Sequence, residues 1–230
     1  MIQAVIVGAI AQSALLISGL AVYVVKVPKR VVGVLAGYGA GALLGAIAFD
    51  LIPESGVLVG PQAAIWLLLG AGVFVVADRL VESKFGGEGG GTGPLGIVVG
   101  AVVDGVPESL IFGIQIATGQ GLSAAFLAAV FVSNIPQALA PSVDLANSGW
   151  KPARLGGMWA IVVVVCALTA GLGFLAAEAI GAEGGRAAAF ASGGLLAMMT
   201  NSLMPFAFER GGYLAGIATV VGFAASLAST

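Results

Sequence analysis

The chain of 230 residues contains no histidine and a single cysteine, Cys166. The first absence removes the commonest metal ligand and the usual general base at neutral pH. The second excludes an internal disulfide, and Cys166, set in IVVVVCALTAG, reads as a small apolar packing residue. Charge is scarce as well: Asp, Glu, Lys and Arg make up 9% of the residues, whereas soluble domains carry about 25%. So few polar side chains cannot cover a water-facing surface. No basic patch exists, which excludes nucleic acid as a partner. What is abundant is apolar, at 59%, together with 37 glycines that interrupt hydrophobic runs rather than replace them. That pattern argues against disorder and for an all-α, polytopic membrane protein whose surroundings are the lipid bilayer.

A membrane span takes about 20 mostly apolar residues. Eight segments meet that requirement: 2–25, 31–53, 62–82, 94–117, 121–147, 155–180, 186–209 and 211–229. They form one transmembrane domain, 1–230, with a flexible glycine-rich loop at 84–94 and no soluble domain. MIQAVIVGAI has no basic segment before it and is expected to remain as the first span. With eight spans, Lys26, Lys29, Arg30, Arg79, Lys84, Lys151, Arg154 and Arg210 fall on one side, and Arg186 on the other. The basic side is the cytoplasmic one. The expectation is therefore a multi-pass protein of the cell (inner or plasma) membrane with both termini on the non-cytoplasmic side. Trp66, Trp150 and Trp159 lie near span ends, where interface anchors sit. Gly33, Gly37, Gly41 and Gly45 put a smooth stripe on one face of span 2, which favours close helix packing.

Four spans combine polar side chains with a proline about one turn on: DLIPE (50–54), DGVPE (104–108), SNIPQ (133–137) and NSLMP (201–205). A proline inside a helix frees the carbonyl four residues earlier, so Pro107, Pro136 and Pro141 release those of Val103, Val132 and Gln137. Asp104 and Glu108 share one helix face, as do Ser133 and Gln137. Counted from the turn at TGQG (118–121), these groups and Asn134 lie roughly 17 to 27 Å deep at 1.5 Å per residue, near the bilayer middle. A carboxylate at that depth is unfavourable by about 3 kcal/mol or more. No Lys, Arg or His occurs within ten residues of the segment 102–113. Two readings follow: a cation or proton site, or a neutral hydrogen-bonded pair that fixes packing with Asn134 and Gln137. Asp50, Glu54, Asp144 and Asn201 are candidates for the pathway on either side.

DGVPES, SNIPQA, GALLGAIAFDLIPES and GGLLAMMTNSLMPFAFERGG resemble motifs of the ZIP (Zrt/Irt-like) divalent-metal transporters. The likeness runs over most of the chain. It implies a 3+2+3 arrangement of eight helices, spans 2, 4, 5 and 7 around a metal, a homodimer, and movement of one bundle against another. Asp104 stands at the family's histidine position, Gly105 at its asparagine, Ser133 at a second His or Gln, and Gln137 at an acid. The resemblance then implies a single all-oxygen site made of Asp104, Glu108, Ser133, Asn134 and Gln137. Oxygen ligands suit hard ions such as Mn²⁺ or Mg²⁺ better than imidazole or thiolate sites do; Zn²⁺ and Fe²⁺ complete the set of ions considered as the carried substrate.

The leading expectation is a carrier of a divalent cation. The alternative is a ZIP-fold protein that has lost transition-metal transport and moves protons or another solute, or serves as a sensor or structural partner. An enzyme is not expected: the two acids are one turn apart on one helix, and the glycine loop lacks the Lys and strand–helix setting of a phosphate loop.

Overall fold

The computed structural model describes residues 1–52, 60–85, 93–119, 121–180 and 185–229. Among them there is no strand; every element is helical. The helices are α1 (Ile2–Ala21), α2 (Lys29–Ala46), α3 (Pro61–Phe85), α4 (Pro94–Thr118), α5 (Ala124–Asn147), α6 (Pro152–Ile180), α7 (Gly185–Met198) and α8 (Tyr213–Leu227). Two of them run on through a π-helical turn, α2 into Ile47–Leu51 and α7 into Met199–Leu203 and then Met204–Gly211. Among the described residues, seven helices are long and apolar enough to cross a membrane. The exception is α8: its 15 residues begin only after Gly212, whose φ of 56° breaks the helical path from α7. The first span is also shorter than the sequence suggested, since α1 stops at Ala21 and Pro28 precedes α2. Most of the glycine-rich loop lies outside the described residues.

The halves of the chain repeat one plan. The two π turns are separated by 152 residues at both ends, 47 to 199 and 51 to 203. The same shift carries α1 onto α6, α2 onto α7 and the start of α3 onto the start of α8. It also aligns GALLGAIAFDLIP with GGLLAMMTNSLMP, which share the first Gly, the Leu pair, the later Leu and the Pro. Contacts follow the same rule. A Cβ on Gly41 would meet the Thr219 carbonyl, and one on Gly193 would meet that of Leu67. A Cβ on Gly222 would meet the Tyr38 carbonyl, and one on Gly70 that of Phe190. So α8 packs on α2 as α3 packs on α7, with backbones brought together by glycine. Tyr23, after α1, donates its hydroxyl to the Trp150 carbonyl before α6, at 2.6 Å. The end of α1 therefore meets the start of α6, and the second half is inverted relative to the first. We call this end, which carries Lys29, Lys151 and Arg210, the basic end.

Each π turn closes with a backbone bond five residues long, Ile52 N–H to Ile47 O and Met204 N–H to Met199 O. Both precede a proline, at 53 and 205, which cannot supply the helical donor at its own position. Between the halves, α4 and α5 carry the internal prolines 107, 136 and 141.

Two apolar clusters fill the bundle. One joins Ile47, Leu51, Ile111, Phe112, Phe126, Met198, Met199 and Leu203. The other, towards the basic end, joins Leu15, Leu145, Leu155, Trp159 and Cys166. Trp159 is not an interface anchor: it is 1% exposed, because Gly19 leaves space for its ring and Ser142 accepts its N–H at 2.8 Å. Trp150 fits the interface expectation better, being half-buried with the Arg154 guanidinium 3.8 Å above its ring.

Candidate functional site

On α4, Ile97, Ala101, Asp104, Glu108, Ile111 and Gln115 follow one face at three- and four-residue spacing. The first turns of that helix border a cavity of about 290 Å³. Gly96, Gly100, Ala101 and Asp104 form its α4 wall, Gln137 and Pro141 its α5 wall, and Trp159, Ser202 and Phe206 the rest. A water's share of the liquid is about 30 Å³, so the space accommodates an ion with several waters. It extends from the first turns of α4, at the basic end, to Asp104.

One turn deeper, Glu108 is 1% exposed. Its Oε2 accepts from Gln12 Nε2 on α1 at 3.1 Å. Gln12 Oε1 accepts in turn from Asn134 Nδ2 on α5 at 3.1 Å, and the same Asn134 NH₂ approaches the Ala11 carbonyl at 3.5 Å. The direction of this relay follows from chemistry. A carboxylate only accepts, so the Gln12 NH₂ faces it and the Gln12 oxygen faces Asn134. Among the described residues, Glu108 Oε1 is buried with no hydrogen-bond partner. Such an atom calls for an explanation, an ion among them.

The five expected ligand residues separate into three groups. Glu108 and Asn134 are brought together through Gln12, and Asp104 and Gln137 share the cavity. Ser133 stands apart: fully buried against Gly39 of α2, its hydroxyl donates to the Val130 carbonyl at 2.9 Å. It packs α5 on α2 rather than facing the cavity.

The pathway candidates also differ from one another. Asp50, in the π turn of α2, accepts from Ser123 Oγ at 2.5 Å. Ser123 caps α5 by accepting from Phe126 N at 3.0 Å, so Asp50 ties α2 to α5 at the end away from the cavity. Asp144 is exposed at the basic end, where it shares a small hollow with Lys29 and Arg210. Asn201 is exposed, and its neighbour Ser202 lines the cavity instead. Glu54 lies outside the described residues.

Sequence reasoning missed Gln12, the central member of the relay. The only signal was an amide in the otherwise apolar stretch VGAIAQSALL. Gln115, two turns beyond Glu108, is 3% exposed with neither amide atom paired among the described residues. Among the described residues no three His, Cys, Asp or Glu side chains converge on one point. A site here must therefore draw on amides and carbonyls besides its acids.

A scan against protein-family models and a search of curated proteins return no match for the chain.

Proposed function

We propose that the protein is a ZIP-like membrane carrier of a hard divalent cation, with Glu108, Asp104, Asn134 and Gln137 on the route. The observation that carries this reading is Glu108 Oε1. It is a buried, unpaired acceptor one turn beyond a cavity whose wall holds a second acid. No cationic side chain forms an ion pair with either acid among the described residues, and an intramembrane acid without one is a functional site by default. The inverted repeat supports a carrier, because in such folds the substrate site lies at the repeat interface near the midplane. It also supports the eight-helix, 3+2+3 reading, since α8 pairs with α2 as α3 pairs with α7. The positions of Lys and Arg support a cell-membrane protein with both termini on the non-cytoplasmic side.

The test is uptake of Mn²⁺ by liposomes holding the purified full chain. Wild type gives saturable uptake. Glu108→Gln and Asp104→Asn, which keep shape and remove charge, each reduce it at least tenfold while the protein elutes as a folded species. Undiminished uptake in both variants would reject the site.

A second reading draws on the relay itself. Glu108 Oε2, Gln12 and Asn134 already satisfy one another, as a neutral network that fixes packing would. In that case the protein moves protons or another solute, or acts as a sensor. No saturable flux and no binding heat for Mn²⁺, Mg²⁺, Zn²⁺ and Fe²⁺ would favour it.

A further inference from the structure

Gln12 is fully buried in α1, and its amide links Glu108 to Asn134. A helix facing lipid on one side and protein on the other gains little from a buried amide. Here it bridges α1 to both central helices, and the backbone is arranged to admit it. A Cβ on Gly105 would lie 3.6 Å from both Gln12 Nε2 and Gln12 Oε1, and 2.6 Å from Cys166 Sγ. A methyl group at 105 would therefore rest in ordinary contact with the Gln12 amide and would displace Cys166, while a longer side chain would compete with Gln12 for the same space. The space beside Glu108 that α4 could have filled itself is left to α1.

From this arrangement we infer that Gln12 is an oxygen ligand of the carried cation and sets which ion the site prefers. The inference deepens the carrier reading above and rests on it. In the metal-free relay the Gln12 NH₂ satisfies the Glu108 carboxylate. A cation beside Glu108 neutralises that oxygen and removes the need for a donor there. Rotation of the terminal amide, a broad two-fold torsion, then turns Oε1 towards the cation and Nε2 towards Asn134. Asn134 makes the matching turn and accepts through Oδ1. The Gln12–Glu108 hydrogen bond and the long Asn134–Ala11 contact give way to cation coordination, the Gln12–Asn134 bond is kept with its direction reversed, and one neutral oxygen is added beside the Glu108 carboxylate. Such a donor set suits Mn²⁺ or Mg²⁺; an imidazole in the same place suits Zn²⁺.

The experiment measures Mn²⁺ and Zn²⁺ uptake by liposomes carrying the full chain, with wild type, Gln12→His, Gln12→Glu and Gln12→Met. Gln12→His raises the Zn²⁺:Mn²⁺ uptake ratio about tenfold or more, and Gln12→Glu shifts it towards Mn²⁺. Gln12→Met, of similar shape but without amide atoms, raises KM for both ions more than it lowers kcat. A packing residue changes stability or total uptake and leaves the ratio alone. An unchanged ratio in both Gln12→His and Gln12→Glu, with working wild type, overturns the inference and leaves the carrier intact. Wild type that takes up and binds neither ion overturns the carrier reading and the inference together.

Discussion

The indole N–H of Trp159 reaches Ser142 Oγ at 2.8 Å, with both residues buried between α5 and α6. Removing the acceptor strands the donor in an apolar cluster of Leu15, Leu155 and Val162. An orphaned buried donor destabilises by about 1–3 kcal/mol. Ser142→Ala should therefore lower the thermal midpoint in detergent, and Ser142→Thr, which keeps the hydroxyl, should recover part of the loss. Ser142→Ala with an unchanged midpoint would show that the indole finds another partner. Trp159 also lines the cavity, so the same change should loosen one wall of it. At this scale the sequence was informative about charge and uninformative about amides. Asp104 and Glu108 stood out because nothing near them in the chain balances them. Gln12 did not, since a single amide in an apolar helix has no spacing pattern to betray its partners.

Helix α2 was legible as a close-packing element from its glycine stripe, yet the partner was not: Gly33 meets Arg210 and Gly211, and Gly37, Gly41 and Gly45 meet α8, from the far end of the chain. Gly41 and Gly193 occupy matching places in the two halves, each facing a carbonyl of the opposite half. Adding a methyl group there overpacks the contact, at about 1–3 kcal/mol. Gly72, inside α3, has nothing within 4 Å of an added Cβ. There only helix propensity acts, and Ala is favoured over Gly by about 1 kcal/mol. Gly41→Ala and Gly193→Ala should each lower the thermal midpoint by a similar amount, while Gly72→Ala leaves it unchanged or raises it. Opposite signs for Gly41→Ala and Gly193→Ala would refute the equivalence of the halves. The π turns escaped sequence reasoning for a physical reason. A proline announces a missing donor, but whether the helix stays α-helical through it, as α4 and α5 do, or opens into a wider turn is decided by packing. Leu51 and Leu203, buried at matching places in the two turns, hold that wider turn against the core.

Viewed whole, the molecule is unequal about its middle. From Asp104 towards the basic end there is open volume; beyond Glu108, Ile111 and Phe112 are buried with Phe126, whose ring lies 4.9 Å from that of Phe112. Asp50 and Ser123 join α2 to α5 on that closed side. Under the proposed carrier reading, the inverted repeat would offer a second arrangement with the closed and open sides exchanged. Thiol labelling reads this directly, because Cys166 is fully buried and gives little background. Gly100 lines the cavity, and an added Cβ there meets nothing within 4 Å, so Gly100→Cys should fold and present its thiol to the open volume. In sealed vesicles a membrane-impermeant thiol reagent should modify Gly100→Cys from the Lys- and Arg-rich face and not from the other, and Mn²⁺ should slow the reaction. Ile111→Cys, 1% exposed in the native residue, should react from neither face under the same conditions. Labelling of Gly100→Cys only from the face opposite the basic residues would reverse the assignment of open and closed sides, and with it the order of Asp104 and Glu108 along the proposed route.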